Sequence, residues 1–183
     1  MKKLWYLISL ALCALLLAAC GAESLPFTLD KLEDGGPSLP GAEPRSTLEE
    51  VREGGFPLLD EIMSQYEIGE EKLESVSYQL DSDKAVLTVA GCETHDCLFQ
   101  FVEGQLTSIQ AYFTEQDASE KVSEELTRLY GDPVVNETAA GRLERWNLEG
   151  EQAVQLGVLH GTNHPGNFQL AYPWFVPEGE LEP

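Results

Sequence analysis

The sequence predicts an α+β domain in which tandem helix-plus-antiparallel-hairpin repeats form one antiparallel sheet with two helices on one face. Three observations predict it. Two segments space their apolar residues as helices do, each behind helix-start signals. Strand-like runs follow each of them, joined by short turns, and short connections make neighbouring strands antiparallel. The chain also resembles itself: Tyr78-Gln79-Leu80-Asp81-Ser82-Asp83-Lys84-Ala85-Val86 aligns with Trp146-Asn147-Leu148-Glu149-Gly150-Glu151-Gln152-Ala153-Val154.

Ser46-Thr47-Leu48-Glu49-Glu50 contains two overlapping capping-box patterns and opens the folded part. Gly54-Gly55 interrupts, and Pro57 suits the first turn of a helix carrying Leu58, Leu59, Ile62, Met63 and Tyr66 on one face and stopping before Gly69. Val76, Tyr78 and Leu80 alternate as a strand. A turn at 81–83 leads to a strand over 85–90, a turn over 91–96 to a strand over 98–102, and the tight turn Glu103-Gly104 to a strand over 106–113. Asp117-Ala118-Ser119-Glu120 reads as the capping box of a second helix, striped by Ala118, Val122, Leu126, Leu129 and Tyr130 and stopped by Gly131 and Pro133. Strands over 143–148, 153–159 and 168–172 complete the second unit. The globular part thus spans 46–176, with units at 46–113 and 114–176, and a disordered tail at 177–183.

This doubled unit looks like the beta-lactamase-inhibitor-protein type of fold. It is also similar in outline to small lipoproteins of the outer-membrane assembly machinery. The resemblance covers 46–172, rests on pattern alone, and implies binding of other proteins without catalysis.

The N-terminus is a targeting signal. Lys2 and Lys3 precede an uncharged run over 4–19, too short for a comfortable membrane span of about 20 residues but suited to a signal peptide. Leu17-Ala18-Ala19-Cys20 resembles the bacterial lipobox. The resemblance implies removal of residues 1–19, diacylglycerol on Cys20, and a protein held to a cell membrane facing outside the cytoplasm. Two or three acyl chains anchor stably, at about 0.8 kcal/mol per buried methylene. Residues 20–45, rich in proline, glycine and acids, read as a flexible tether reaching on the order of 30 Å.

The formal net charge is −21, and loss of Lys2 and Lys3 makes it −23. Such a chain repels phosphate backbones, so nucleic acid is excluded as a partner; an envelope protein is the expected one.

Of four cysteines, Cys13 leaves with the signal and Cys20 takes lipid. Cys92 and Cys97, in an oxidising compartment and flanking an expected hairpin turn, read as a disulfide. The alternative is a metal or small-ligand site built from Cys92, His95 and Cys97 with His160 or His164, since thiolate and imidazole suit zinc. The spacing matches no usual zinc pair. A Cys92–His95 nucleophile pair lacks an orienting partner. No catalytic or cofactor motif occurs: HExxH, GxSxG and the phosphate-binding glycine loop are absent. No cofactor is expected, and the chain reads as a non-enzymatic protein-interaction module.

Its expected docking surface is the open sheet face around Leu87 and Val89. Both faces of the strand over 85–90 are apolar, whereas the matching strand of the second unit carries Gln155 and Gly157.

Overall fold

A computed structural model describes residues 22–27, 39–69, 72–148, 154–162 and 164–172. Its elements in chain order are β1 (Glu23–Phe27), α1 (Leu48–Glu53), β2 (Leu58–Ile68), β3 (Leu73–Leu80), β4 (Ala85–Val89), β5 (Cys92–Val102), β6 (Gln105–Phe113), α2 (Ala118–Tyr130), β7 (Val134–Thr138), β8 (Gly141–Leu148), β9 (Val154–Gly161) and β10 (Asn167–Ala171). Strand accounts for 58% of the described residues and helix for 14%, so the α+β expectation is overturned in favour of a mostly-β fold.

One mixed sheet holds all ten strands. Its main body runs β2-β3-β5-β6-β10-β9-β8-β7, antiparallel throughout, with β6 and β10 adjacent at the centre. The N-terminal end of β5 pairs instead with β4, and β4 pairs in parallel with β1.

The expected helix over 58–66 is the largest local correction. Those residues form β2, an edge strand paired to β3 from Leu58↔Leu80 to Ile68↔Leu73 with two register shifts. The apolar spacing that suggested a helix buries only its first member: Leu58 is in the core at 7% exposed, whereas Ile62, Met63 and Tyr66 are 44%, 50% and 48% exposed. With no core behind that stripe, long-range pairing decides the conformation. The helix-plus-hairpin repeat unit fails with it, because the first unit's helix is only the six-residue α1. α1 does carry the expected cap: the Thr47 hydroxyl accepts from the Glu50 N–H while the Glu50 carboxylate accepts from the Thr47 N–H.

The turn expected over 91–96 is another correction. Val89 pairs with Cys92, so the turn is only Ala90-Gly91, both at positive φ (49° and 77°). That is the two-residue hairpin turn whose twist matches the strands. Glu103-Gly104 repeats it at 48° and 74°, as expected from sequence. At α2 the capping box is not realised: the Asp117 side chain makes no cap hydrogen bond and pairs with Lys121 at 3.1 Å instead.

One face of the sheet is covered. α2 lays Ala118, Val122 and Leu126, all 0% exposed, across β9 and β10. β1 brings Phe27 edge-on to Phe168 (5.0 Å between ring centroids), and the chain after α1 brings Phe56 against Phe99 (5.3 Å). These join Leu39, Val51, Leu87, Ile109, Phe113, Leu156 and Leu170 in one core.

The flexible tether expected over 20–45 is therefore corrected at both described stretches. Glu23–Phe27 is a strand, and Leu39 and Ala42 are buried. Tyr172 Oη donates to the Ala42 carbonyl (3.2 Å), and a Cβ on Gly41 or Gly54 would collide with the other's backbone. The signal segment, Cys20 and the residues after Tyr172 lie outside the described residues.

Candidate interaction surface

Cross-strand partners share a face, so the register defines what lies opposite the helices. One row crosses the sheet as Gln79, Leu98, Gln110, Gln169, Gly157, Arg145 and Val134. A second runs Ser77, Gln100, Ser108, Ala171, Gln155 and Asn147. A third runs Asp96, Tyr112, Asn167, Leu159, Leu143 and Asn136. Within these three rows Asp96 and Arg145 alone carry full charge; His95 stands beside Asp96 (3.5 Å) at the bulge of β5, and Glu93, where β5 leaves the main body for β4, faces the same side. In a chain of net charge −21, the three rows are a wide neutral field of amides, hydroxyls and aliphatic groups.

Hydrogen bonds between side chains hold the field in shape. Gln100 Nε2 donates to Ser75 Oγ (2.8 Å) and Tyr66 Oη (2.7 Å), and Ser108 Oγ donates to Gln100 Oε1 (2.8 Å). Gln79 Nε2 donates to Asp96 Oδ1 (2.6 Å), Gln169 Nε2 to Asn167 Oδ1 (3.0 Å) and Gln155 Nε2 to Asn147 Oδ1 (2.8 Å). The large exposed apolar side chains among the described residues sit on the two outermost strands: Ile62, Met63 and Tyr66 on β2, Val134 and Val135 on β7. Tyr66 and Val134 lie on the open face, one at each end.

The covered face holds charge differently. Glu144, 6% exposed, accepts hydrogen bonds from Ser123 Oγ of α2 and from His160 Nε2 (3.0 Å), and pairs with Arg142 (3.0 Å). Burial raises the Glu144 carboxyl, but the Ser123 and His160 hydrogen bonds and the His160 and Arg142 charges outweigh it, leaving it below the ordinary glutamate value. A serine, a carboxylate and a histidine meet here in the wrong order for nucleophilic catalysis. The carboxylate stands between hydroxyl and imidazole, so no base takes the serine proton. The cluster ties α2 to β8 and β9.

The residues singled out by sequence are dispersed. Leu87 and Val89 are 0% exposed in the core, so they form no docking surface; β4 lies off the main sheet body, hydrogen-bonded between β1 and the start of β5, with both residues facing the core. Cys92 and Cys97 are free thiols, which corrects the disulfide. Both point to the covered face of the same strand, roughly 16 Å apart at about 3.3 Å per residue, against the Cα limit of about 7 Å for a bridge. Burial pushes both thiols up, so neither is a ready nucleophile.

The alternative metal set is split as well. His95 is exposed, with Nδ1 3.0 Å from the Phe113 carbonyl; His160 lies on the covered face with Glu144; and His164 Nδ1 accepts from the Gly166 N–H (3.1 Å). Among the described residues no group of three or more His, Cys, Asp and Glu side chains could hold a metal ion, and no helix is long and apolar enough to cross a membrane.

Sequence reasoning missed the neutral face because it placed the sheet's open side on β4. The available signal was the run of glutamines at alternate strand positions, Gln79, Gln100, Gln110, Gln155 and Gln169. No family model, curated protein or solved structure matches the chain.

Proposed function

We propose that the chain is a lipid-anchored, extracytoplasmic lipoprotein acting as a non-enzymatic protein-interaction module, with the open sheet face as its docking surface. One observation carries the docking surface. Three rows of residues crossing the sheet hold one Asp and one Arg as their only full charges, on a chain that is otherwise densely acidic. Depletion of charge at the centre of a patch is the compositional signature of protein interfaces. The lipobox-like Leu17-Ala18-Ala19-Cys20 supports the anchoring and the location.

Two measurements test the two halves of the reading. Cys20→Ser should abolish labelling by radioactive fatty acid and release the chain from the membrane fraction; persistent labelling sinks the anchor. A photo-crosslinking residue at Gln110 should capture a protein in intact cells, whereas one at Glu120, exposed on the far side of α2, should not. Equal capture from both positions removes the case for this face.

A further inference from the structure

We infer that the protein docked on the open face is a second copy of this chain, in a two-fold dimer that sets Asp96 of each copy against Arg145 of the other. The inference rests on the reading of that face as a docking surface and names its occupant.

Two copies at −21 each repel one another wherever their acidic surfaces meet. Across the three rows of the open face that repulsion is nearly absent, and the two full charges within them are of opposite sign. They are also placed symmetrically. Asp96 is on β5 and Arg145 on β8, and the strand order β5-β6-β10-β9-β8 puts β10 midway between them. At about 4.8 Å per strand they lie about 19 Å apart across the sheet and one row apart along it. A two-fold axis between facing sheets, running close to β10, exchanges β5 with β8 and β6 with β9. It therefore produces the Asp96–Arg145 pair twice. Asp96 is 45% exposed in its side chain, with His95 Nε2 3.5 Å from Oδ2 and Gln79 on Oδ1, and no ion-pair partner of Arg145 occurs among the described residues.

The residues on the axis fit as well. A side chain on a two-fold axis meets its own copy, so it must complement itself. Carboxylates and ammonium groups fail that requirement, whereas carboxamides satisfy it, because each carries both donors and an acceptor. On β10 the accessible carboxamide at the axis is that of Gln169, held in place by a hydrogen bond to Oδ1 of the buried Asn167 (3.0 Å). Off the axis, Tyr112 of one copy faces Leu159 of the other, and Ser108 faces Gln155. Seven strands about 4.8 Å apart, from β3 to β7, each offering about five residues at 3.4 Å, face one another over about 570 Å², against about 800 Å² per partner in a standard interface.

The test uses the full chain in a density-matched mild detergent, with mass followed by sedimentation equilibrium and folding by circular dichroism. The wild type should be dimeric. Asp96→Arg and Arg145→Asp each place like charges opposite one another and should weaken dimerisation at least about tenfold. Mixing the two variants juxtaposes opposite charges at both sites and should restore the dimer. A monomeric wild type, full dimerisation of either single variant, or failure of the folded mixture to associate would each overturn the inference. Should a reversal unfold the chain, Asp96→Asn and Arg145→Gln replace it; both should weaken association, and unchanged affinity overturns the pairing. A monomeric wild type that still crosslinks another protein from Gln110 defeats the dimer alone. One that crosslinks nothing from Gln110 defeats the docking face with it.

Discussion

The two faces of the sheet solve opposite problems with the same strands. On the covered face, Phe99, Ile109, Phe113, Leu156, Phe168 and Leu170 are at most 1% exposed, and Glu144 sits there only because Ser123, His160 and Arg142 engage its carboxylate. On the open face, amides bond to amides and hydroxyls, and charge is nearly eliminated rather than neutralised by partners. The difference teaches where selection for folding ends. A face that must exclude water tolerates a charge if it is fully engaged; the open face holds few charges and links its polar side chains to one another.

That contrast can be broken residue by residue. Phe168→Ala, on the covered face and in ring contact with Phe27, should cost about 3–5 kcal/mol in urea unfolding. Leu87→Asp should be nearly as damaging, because it buries an unpaired charge in the core beside β1. Retention of native stability by that variant would return β4 to the surface.

Glu144→Gln should cost about 1–3 kcal/mol, since His160, Arg142 and Ser123 lose a charged acceptor. It should also flatten the acid limb of stability. The Glu144 carboxyl is lowered in the folded chain, so its contribution is complete above the unfolded value near 4.5 and is lost as pH falls through the lower folded value. Urea midpoints measured from pH 6 to pH 3 should therefore fall less steeply in Glu144→Gln than in the wild type. Thr47→Ala removes the capping-box hydroxyl of α1 and should cost about 1 kcal/mol. Gln110→Ala, on the open face, should change stability by no more than about 0.5 kcal/mol while weakening capture at that face. A larger destabilisation would give Gln110 a folding role and blur the division between the faces.

Much of this arrangement is legible in the sequence where local pattern and tertiary burial agree. β3, β5, β6, β8, β9 and β10 alternate apolar and polar residues because one face meets the core, and the stripe Ala118, Val122, Leu126 marks the buried side of α2. Legibility fails where they part. β2 has a helical apolar spacing but exposes Ile62, Met63 and Tyr66 and buries only Leu58 at its start, so the pattern misleads about packing. β1 is five residues within a proline- and glycine-rich stretch, held by a parallel pairing to β4 about sixty residues away. β7 follows Pro133 as a short outer strand with no buried residue, so alternation leaves no trace in it. The Cys92–Cys97 reading failed because the hairpin turn sits at Ala90-Gly91 and the strand runs straight through both thiols. Ala90-Gly91 has the same residue-then-glycine form as Glu103-Gly104, which the sequence does identify.

The central position of β10 has a consequence in time. β6 ends at Phe113, and its partner on the far side begins at Asn167, more than fifty residues later. A chain delivered N-terminus first must hold the bare edge of β6, with Ile109 and Phe113 beside it, until nearly the last strand arrives. The seam closes late, so folding is governed by a non-local event and should be slow for a domain of this size. A chain truncated before Asn167 would keep both halves but leave β6 and β9 as unpaired inner edges, the kind of exposed template that recruits other chains into aggregates.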